Sequence, residues 1–193
     1  MMVLGSTSGW AQTRQITARV YNHADVPKAV LISAKEEAEF VLTTASVGVR
    51  WVDCGHPGTC DEEAGEDEFQ ILIREHAPLG ISAARGAETM GQSLLTRDES
   101  GFLALVYYTQ VCRLSRRETA ISAGEILGYV IAHEIGHLLF GPQHQDGTVM
   151  KAKWDRFDME KMRRRELRFS SSQRLAKYRK DSNAVPLISA ALR

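Results

Sequence analysis

The sequence has no uninterrupted run of 18 or more apolar residues, so no membrane-spanning helix is expected. Neither sign of charge is in excess: 24 lysines and arginines balance 24 aspartates and glutamates. A dedicated nucleic-acid binder is usually strongly basic, so no nucleic-acid partner is expected. Three cysteines are too few for a fold built on disulfides. Aromatic residues make up only 7% of the chain, and no internal repeat or low-complexity tract is visible. What is present is 193 residues with 44% hydrophobic content, enough for one domain with a core and too much for wholesale disorder.

The cysteines still carry information. Cys54 and Cys60 flank the turn-rich stretch Gly55-His56-Pro57-Gly58-Thr59 and could pair in an oxidising compartment, leaving Cys112 as a small buried hydrophobe. A zinc site at Cys54, His56 and Cys60 has no fourth ligand nearby. The first residues lack the basic region and long apolar stretch of a full signal peptide, yet Gly9-Trp10-Ala11 has the small-x-small pattern of a signal-peptidase site. Residues 1–12 read as the remnant of a signal peptide, or else as a terminus without that meaning. The first reading makes the protein secreted or periplasmic.

Charge is unevenly spread. Residues 1–150 hold 11 basic and 19 acidic side chains, and residues 151–193 hold 13 and 5. The basic segment reads as a solvated helical tail docked on an acidic body, with an anionic partner surface as the alternative.

Ile16 to Tyr21 alternates as a half-buried strand does, and Asp25 before Pro27 resembles a helix cap. Apolar residues at helical spacing from Leu31 to Ala45 predict an amphipathic helix over 27–46. Val47–Val52, Phe69–Ile73, Gly91–Leu95 and Phe102–Tyr108 read as strands, the last most clearly. Asp61–Glu68, with six acidic residues in eight, reads as a solvated loop, with a calcium site as the alternative. Ser122-Ala123-Gly124-Glu125 is a capping box that opens a helix running to Leu139, where Gly141 and Pro142 stop it. Trp154 to about Arg168 is predicted to be helical. Ser170-Ser171-Ser172-Gln173 then caps a last helix to about Lys180. The expected organisation is a single domain over 13–182 and a tail over 183–193.

The chemistry lies in His133-Glu134-Ile135-Gly136-His137. Histidines four apart share one helix face, and both imidazoles can grip one zinc ion at roughly 2.0–2.1 Å. Glu134 beside them can take a proton from water and pass it to a leaving amine. The competing reading is a satisfied pair of buried helical histidines. Against it, three of the six histidines fall between 133 and 144, and a glutamate in an apolar stretch needs a partner. A catalytic zinc site keeps three protein ligands and an open position. Gly141 lets the chain turn, which can return His144 to the metal, and Asp146-Gly147-Thr148-Val149-Met150 follows as a tight turn carrying a methionine.

The stretch 133–150 resembles the metzincin clan of zinc peptidases. The clan's pattern is HExxH, then a glycine, a third histidine and a methionine-bearing turn. The run His-Glu-Ile-Gly-His-Leu-Leu-Phe-Gly followed by Met150–Trp154 is also similar to a group of bacterial secreted proteins. The resemblance implies His133, His137 and His144 as metal ligands, Glu134 as catalytic base and Met150 as the methionine beneath the metal. It implies an α+β, zincin-like fold: a mixed, twisted sheet of four to five strands, a backing helix, an active-site helix and C-terminal helices. Gly141 and His144 each come one residue later than in the clan, adding up to about 3.5 Å of chain. Asp146 therefore remains a competitor as third ligand, as does Glu160 if the site resembles the thermolysin-like clan.

The implied function is a zinc-dependent endopeptidase, with Zn2+ as cofactor and Glu-assisted attack of zinc-bound water on a peptide bond. Its substrate is a peptide or protein, paired along an edge strand expected at Gly91–Leu95. Tyr107 and Tyr108 could reach the cleft or serve the core, and the basic stretch 161–168 could favour an acidic protein. The chain is expected to act as a monomer. The rival reading is a non-catalytic zincin-fold binding module with structural or absent zinc.

Overall fold

The structure is a computed structural model that describes residues 13–55, 60, 65, 67–78 and 89–175. The signal-peptide reading of 1–12, His56, most of the acidic run 61–68 and the tail lie outside the described residues.

Five strands form one mixed sheet in the order β2-β1-β3-β5-β4. β1 (Arg14–Asn22) runs parallel to both β2 (Val47–Asp53) and β3 (Glu68–Arg74), and β3 runs parallel to β5 (Leu103–Tyr107). β4 (Gly91–Leu94) is antiparallel to β5 and forms an edge of the sheet. Ile16, Ala18, Val20, Ile71, Ile73, Ala104 and Val106 alternate along the central strands and are all buried. Two long helices, α1 (Lys28–Thr43) and α3 (Ala123–Phe140), pack side by side in the same core. Their backbones approach closely at Gly128, where a Cβ would stand 2.7 Å from the Ala34 carbonyl oxygen.

The capping box of α3 forms as the sequence predicts: Glu125 N–H donates to Ser122 Oγ at 3.2 Å, and Ser122 N–H donates to Glu125 Oε2 at 2.8 Å. Other expectations shift. Asp25 does not cap α1, whose N-cap is Pro27. Asn22 closes that loop instead, exchanging hydrogen bonds of 3.0 and 3.1 Å with the Val26 backbone, while Asp25 adopts a left-handed φ of 48°. The strand expected through Tyr108 ends at Tyr107, and Tyr108–Arg117 is a helix, α2. The helix expected over 154–168 is shorter: α4 spans Arg156–Arg163, capped by Asp155, and Arg165 turns out of it at φ 57°. Ser170 and Gln173 then cap α5 (Ser171–Leu175) reciprocally.

Cys54 and Cys60 form a disulfide, so neither thiol is available to zinc, and Cys112 is free and half-buried. Within the acidic stretch, Asp67 pairs with Arg14, and Glu68 pairs with Arg19 at 2.6 Å. The basic C-terminal segment bridges to the body at Arg165, which binds Glu37 at 3.0 Å and covers the Phe40 ring. No helix among the described residues is long and apolar enough to cross a membrane.

Candidate metal centre

α3 is apolar on nearly every side, so it lies within the core and carries His133, Glu134 and His137 into a buried place. His133, Glu134 and His137 are 8%, 5% and 8% exposed. Each histidine is oriented by a backbone carbonyl. His133 Nδ1 lies 2.7 Å from the Val149 oxygen, and His137 Nδ1 lies 3.0 Å from the Gly141 oxygen. A carbonyl only accepts, so both Nδ1 atoms carry the proton. Both Nε2 atoms then point bare lone pairs at one another across 3.0 Å. Such a pair calls for a cation between or beside the two nitrogens. A proton is a poor candidate, because burial, with lesser repulsion from the other histidines, pushes His133 down to about 3 and lowers His137 as well.

Gly141 ends α3 at φ 94°, a left-handed value open to glycine, and Pro142 follows. The chain then returns His144 to the pair. Its ring centroid is 5.5 Å from that of His133 and 4.8 Å from that of His137. The candidate ligand atoms of His133, His137 and His144 all lie within 4.8 Å of one another, which suits a single ion. The other two candidates do not join this cluster. Asp146 is exposed on the turn, and Glu160 is engaged by Arg163 and Arg164 at 2.8 Å, which hold its carboxyl below the usual range.

The turn after His144 is built to hold this geometry. Thr148 Oγ1 donates to the Gln145 carbonyl, and Met150 N–H donates to Thr148 Oγ1. Met150 is fully buried against α3, where a Cβ on Gly136 would stand 2.5 Å from its sulfur. Trp154, expected to open a helix, lies edge-on to His133 at 5.6 Å instead. Its Nε1–H donates to the same Val149 oxygen that orients His133.

Glu134 lies beneath the edge strand. Ser93 Oγ contacts Glu134 Oε2 at 2.7 Å and the Glu134 carbonyl at 2.8 Å. Two residues away on the same face of β4, a Cβ on Gly91 would stand 2.5 Å from Glu134 Oε1. Sequence reasoning marks 91–95 as a strand and gives no sign of this socket. Gly91, Ser93 and Glu134 open onto a cleft of about 1290 Å³, also lined by His133, His137, His144 and Trp154. Tyr107 is buried in the core, and neither it nor Tyr108 lines the cleft.

No family model matches the sequence, and no curated protein matches it either. Among solved structures, archaemetzincin from Methanopyrus kandleri is similar at 15% identity and TM-score 0.48, over 88% of this chain and 95% of that one. Metalloproteinase-II from Bacteroides fragilis is similar at 16% identity and TM-score 0.48; this chain spans 53% of its length. Myroilysin is similar at 14% identity and TM-score 0.38, over 85% of this chain and 72% of that one. With each TM-score below 0.5, the fold of this chain rests on its own topology: a mixed five-strand, α+β sheet whose edge strand overlies the helix bearing His133, Glu134 and His137.

Proposed function

We propose that this chain is a zinc-dependent endopeptidase of metzincin type. Residues 13–182 would form one catalytic domain, with His133, His137 and His144 as metal ligands and Glu134 as catalytic base. The observation that carries the reading is the pair of carbonyl-oriented imidazoles with Nε2 atoms 3.0 Å apart, beside a buried carboxylate in an open cleft. Three converging imidazoles and an accessible cleft fit zinc, which prefers nitrogen ligands and an open position in catalytic sites. When bound there, zinc would supply Lewis acidity for water and for a scissile carbonyl.

The chain's own residues do the rest. An extended peptide adds to the edge strand β4, whose backbone aligns it above α3. Glu134, held by Ser93 Oγ on one carboxylate oxygen, accepts the proton of the attacking water and returns it to the leaving amine. Val149 and Gly141 keep the His133 and His137 lone pairs turned toward the metal position. The Cys54–Cys60 disulfide supports a secreted or periplasmic setting, where such bonds persist.

The test is zinc content and cleavage together. About one zinc per wild-type chain and a large loss in His144→Ala would support the three-histidine site. Full zinc in both would return the third position to Asp146 or Glu160. Zinc retained with no cleavage of a broad peptide library would favour a binding module on the same scaffold.

A further inference from the structure

Helix α2, which the sequence does not announce, brings a second chemistry to the cleft. It starts where β5 ends, and Tyr107 N–H donates to the Met90 carbonyl, so α2 begins at the Met90–Gly91 end of the edge strand. Gln110, Arg113, Leu114 and Arg117 line the cleft at the i, i+3, i+4, i+7 spacing of one helix face. The opposite side is anchored: Val111 is fully buried, and Ser115 Oγ donates to the Ile121 carbonyl at 3.1 Å. The face turned to the cleft is therefore fixed by packing.

That face is cationic. Arg113 is exposed and lies 3.5 Å from the neutral Gln110 amide oxygen. Arg117 is exposed and lies 3.7 Å from its neighbour Glu118. Elsewhere on the wall, Lys151 is matched by Asp155 and Asp158 at 2.7 and 2.6 Å. Apart from Glu134, Asp155 is the only carboxylate among the described lining residues, and it is the one Lys151 holds. Positive charge thus gathers on the wall of the cleft that also holds the histidine cluster, in a chain whose net charge is zero.

We infer that the Arg113 and Arg117 face of α2 is a carboxylate-binding subsite, so that the preferred peptide carries an anionic group at the Met90–Gly91 end of β4. Guanidinium groups suit this role because their planar forks match a carboxylate's two oxygens. A cleft with an excess of one sign also concentrates ligands of the other. The carboxylate could come from an aspartate or glutamate side chain or from a peptide's free C-terminus. The inference names the substrate class of the proposed peptidase site and rests on that reading for the identity of the ligand as a peptide.

The test uses the full chain and matched peptides: one with internal glutamate and an amidated end, the same with glutamine, and the glutamine peptide with a free C-terminus. The wild type should cleave one charged peptide about fivefold better than the neutral one, and the better of the two identifies the source. In R113Q/R117Q that ratio should fall to near one and in R113Q alone it should fall part of the way, while in R116Q, which removes one positive charge off the cleft face, it should persist. The second readout is fluorescence anisotropy of the same peptides on E134Q, with and without R113Q/R117Q. Charge-dependent binding that the arginine variants abolish would support the subsite even if no peptide is cleaved, an outcome that would sink only the peptidase reading. Equal handling of charged and neutral peptides in both readouts, or a preference untouched by R113Q/R117Q, would overturn the inference.

Discussion

Two carboxylates are buried on the two long helices of this protein, and their surroundings could hardly differ more. Glu37 on α1 is 4% exposed and faces a guanidinium: Arg165 donates to its Oε2 from Nε at 3.2 Å and from Nη2 at 3.0 Å. Burial raises the Glu37 pKa and Arg165 pulls it back, so the charge is matched across the interface between α1 and the C-terminal segment. Glu134 on α3 is 5% exposed and accepts a hydrogen bond from a neutral serine hydroxyl beside three histidines. Matching a buried charge with a cation makes a fastener. Setting a buried carboxylate against a serine hydroxyl at an open cleft, beside three histidines, suits a group that trades protons.

The contrast can be broken by mutation. Glu134→Gln should lower peptide cleavage by about a thousandfold while zinc per chain and melting temperature stay near wild type, as for loss of a general base. Glu37→Gln should do the reverse, costing about 1–2 kcal/mol of stability in urea titration with kcat/KM preserved, the modest size reflecting the solvent exposure of Arg165. A fall in activity as large as that of Glu134→Gln would mean the two acids are not functionally distinct. Ser93→Ala sharpens the comparison by removing the neutral donor alone. It should reduce kcat about tenfold with little change in KM, and Ser93→Thr should restore part of the loss.

A further prediction concerns pH. In metal-free protein the unfolded chain binds protons near pH 6.5 that folded His133 and His137 refuse, because burial pushes both below that value. The unfolded state then holds more protons, so this contribution is complete above pH 6.5 and is lost as the pH falls toward 3. Urea midpoints of the chelated protein should drop steadily from pH 7 to pH 4, and His133→Gln should flatten the trend.

Much of this was readable from residues whose signals are local. The Ser122–Glu125 box, the Gly141-Pro142 stop and the apolar alternation of β1 and β3 are local rules, and the structure follows them. His133 and His137 could be paired with Glu134 because helix geometry fixes where i and i+4 residues lie, whereas His144 came from the Gly141 turn and the resemblance, with Asp146 and Glu160 as competitors. α2 was not legible: Tyr108-Thr109-Gln110-Val111-Cys112 continues a β-favouring composition, no side chain caps the helix, and burial of Val111 holds it in place. The overlong reading of α4 failed for a related reason, since basic residues through Arg168 suit a helix while contacts of Arg165 with Glu37 and Phe40 draw the chain away. Ser93 and Gly91 lay beyond reach because their role comes from a neighbour 41 or more residues away.

Gly141 ties the last turn of α3 to the ring of His137 in both directions. Its N–H donates to the His137 carbonyl at 3.0 Å, and its own carbonyl takes the His137 Nδ1 proton at 3.0 Å. Whatever draws electron density from Nε2 of that ring makes Nδ1–H a better donor and tightens the closed loop of bonds. The Gly141 amide thereby becomes a built-in reporter. Its hydrogen–deuterium exchange should slow when an ion is loaded and quicken when the ion is stripped, making occupancy readable from the backbone without assaying a single cleavage event.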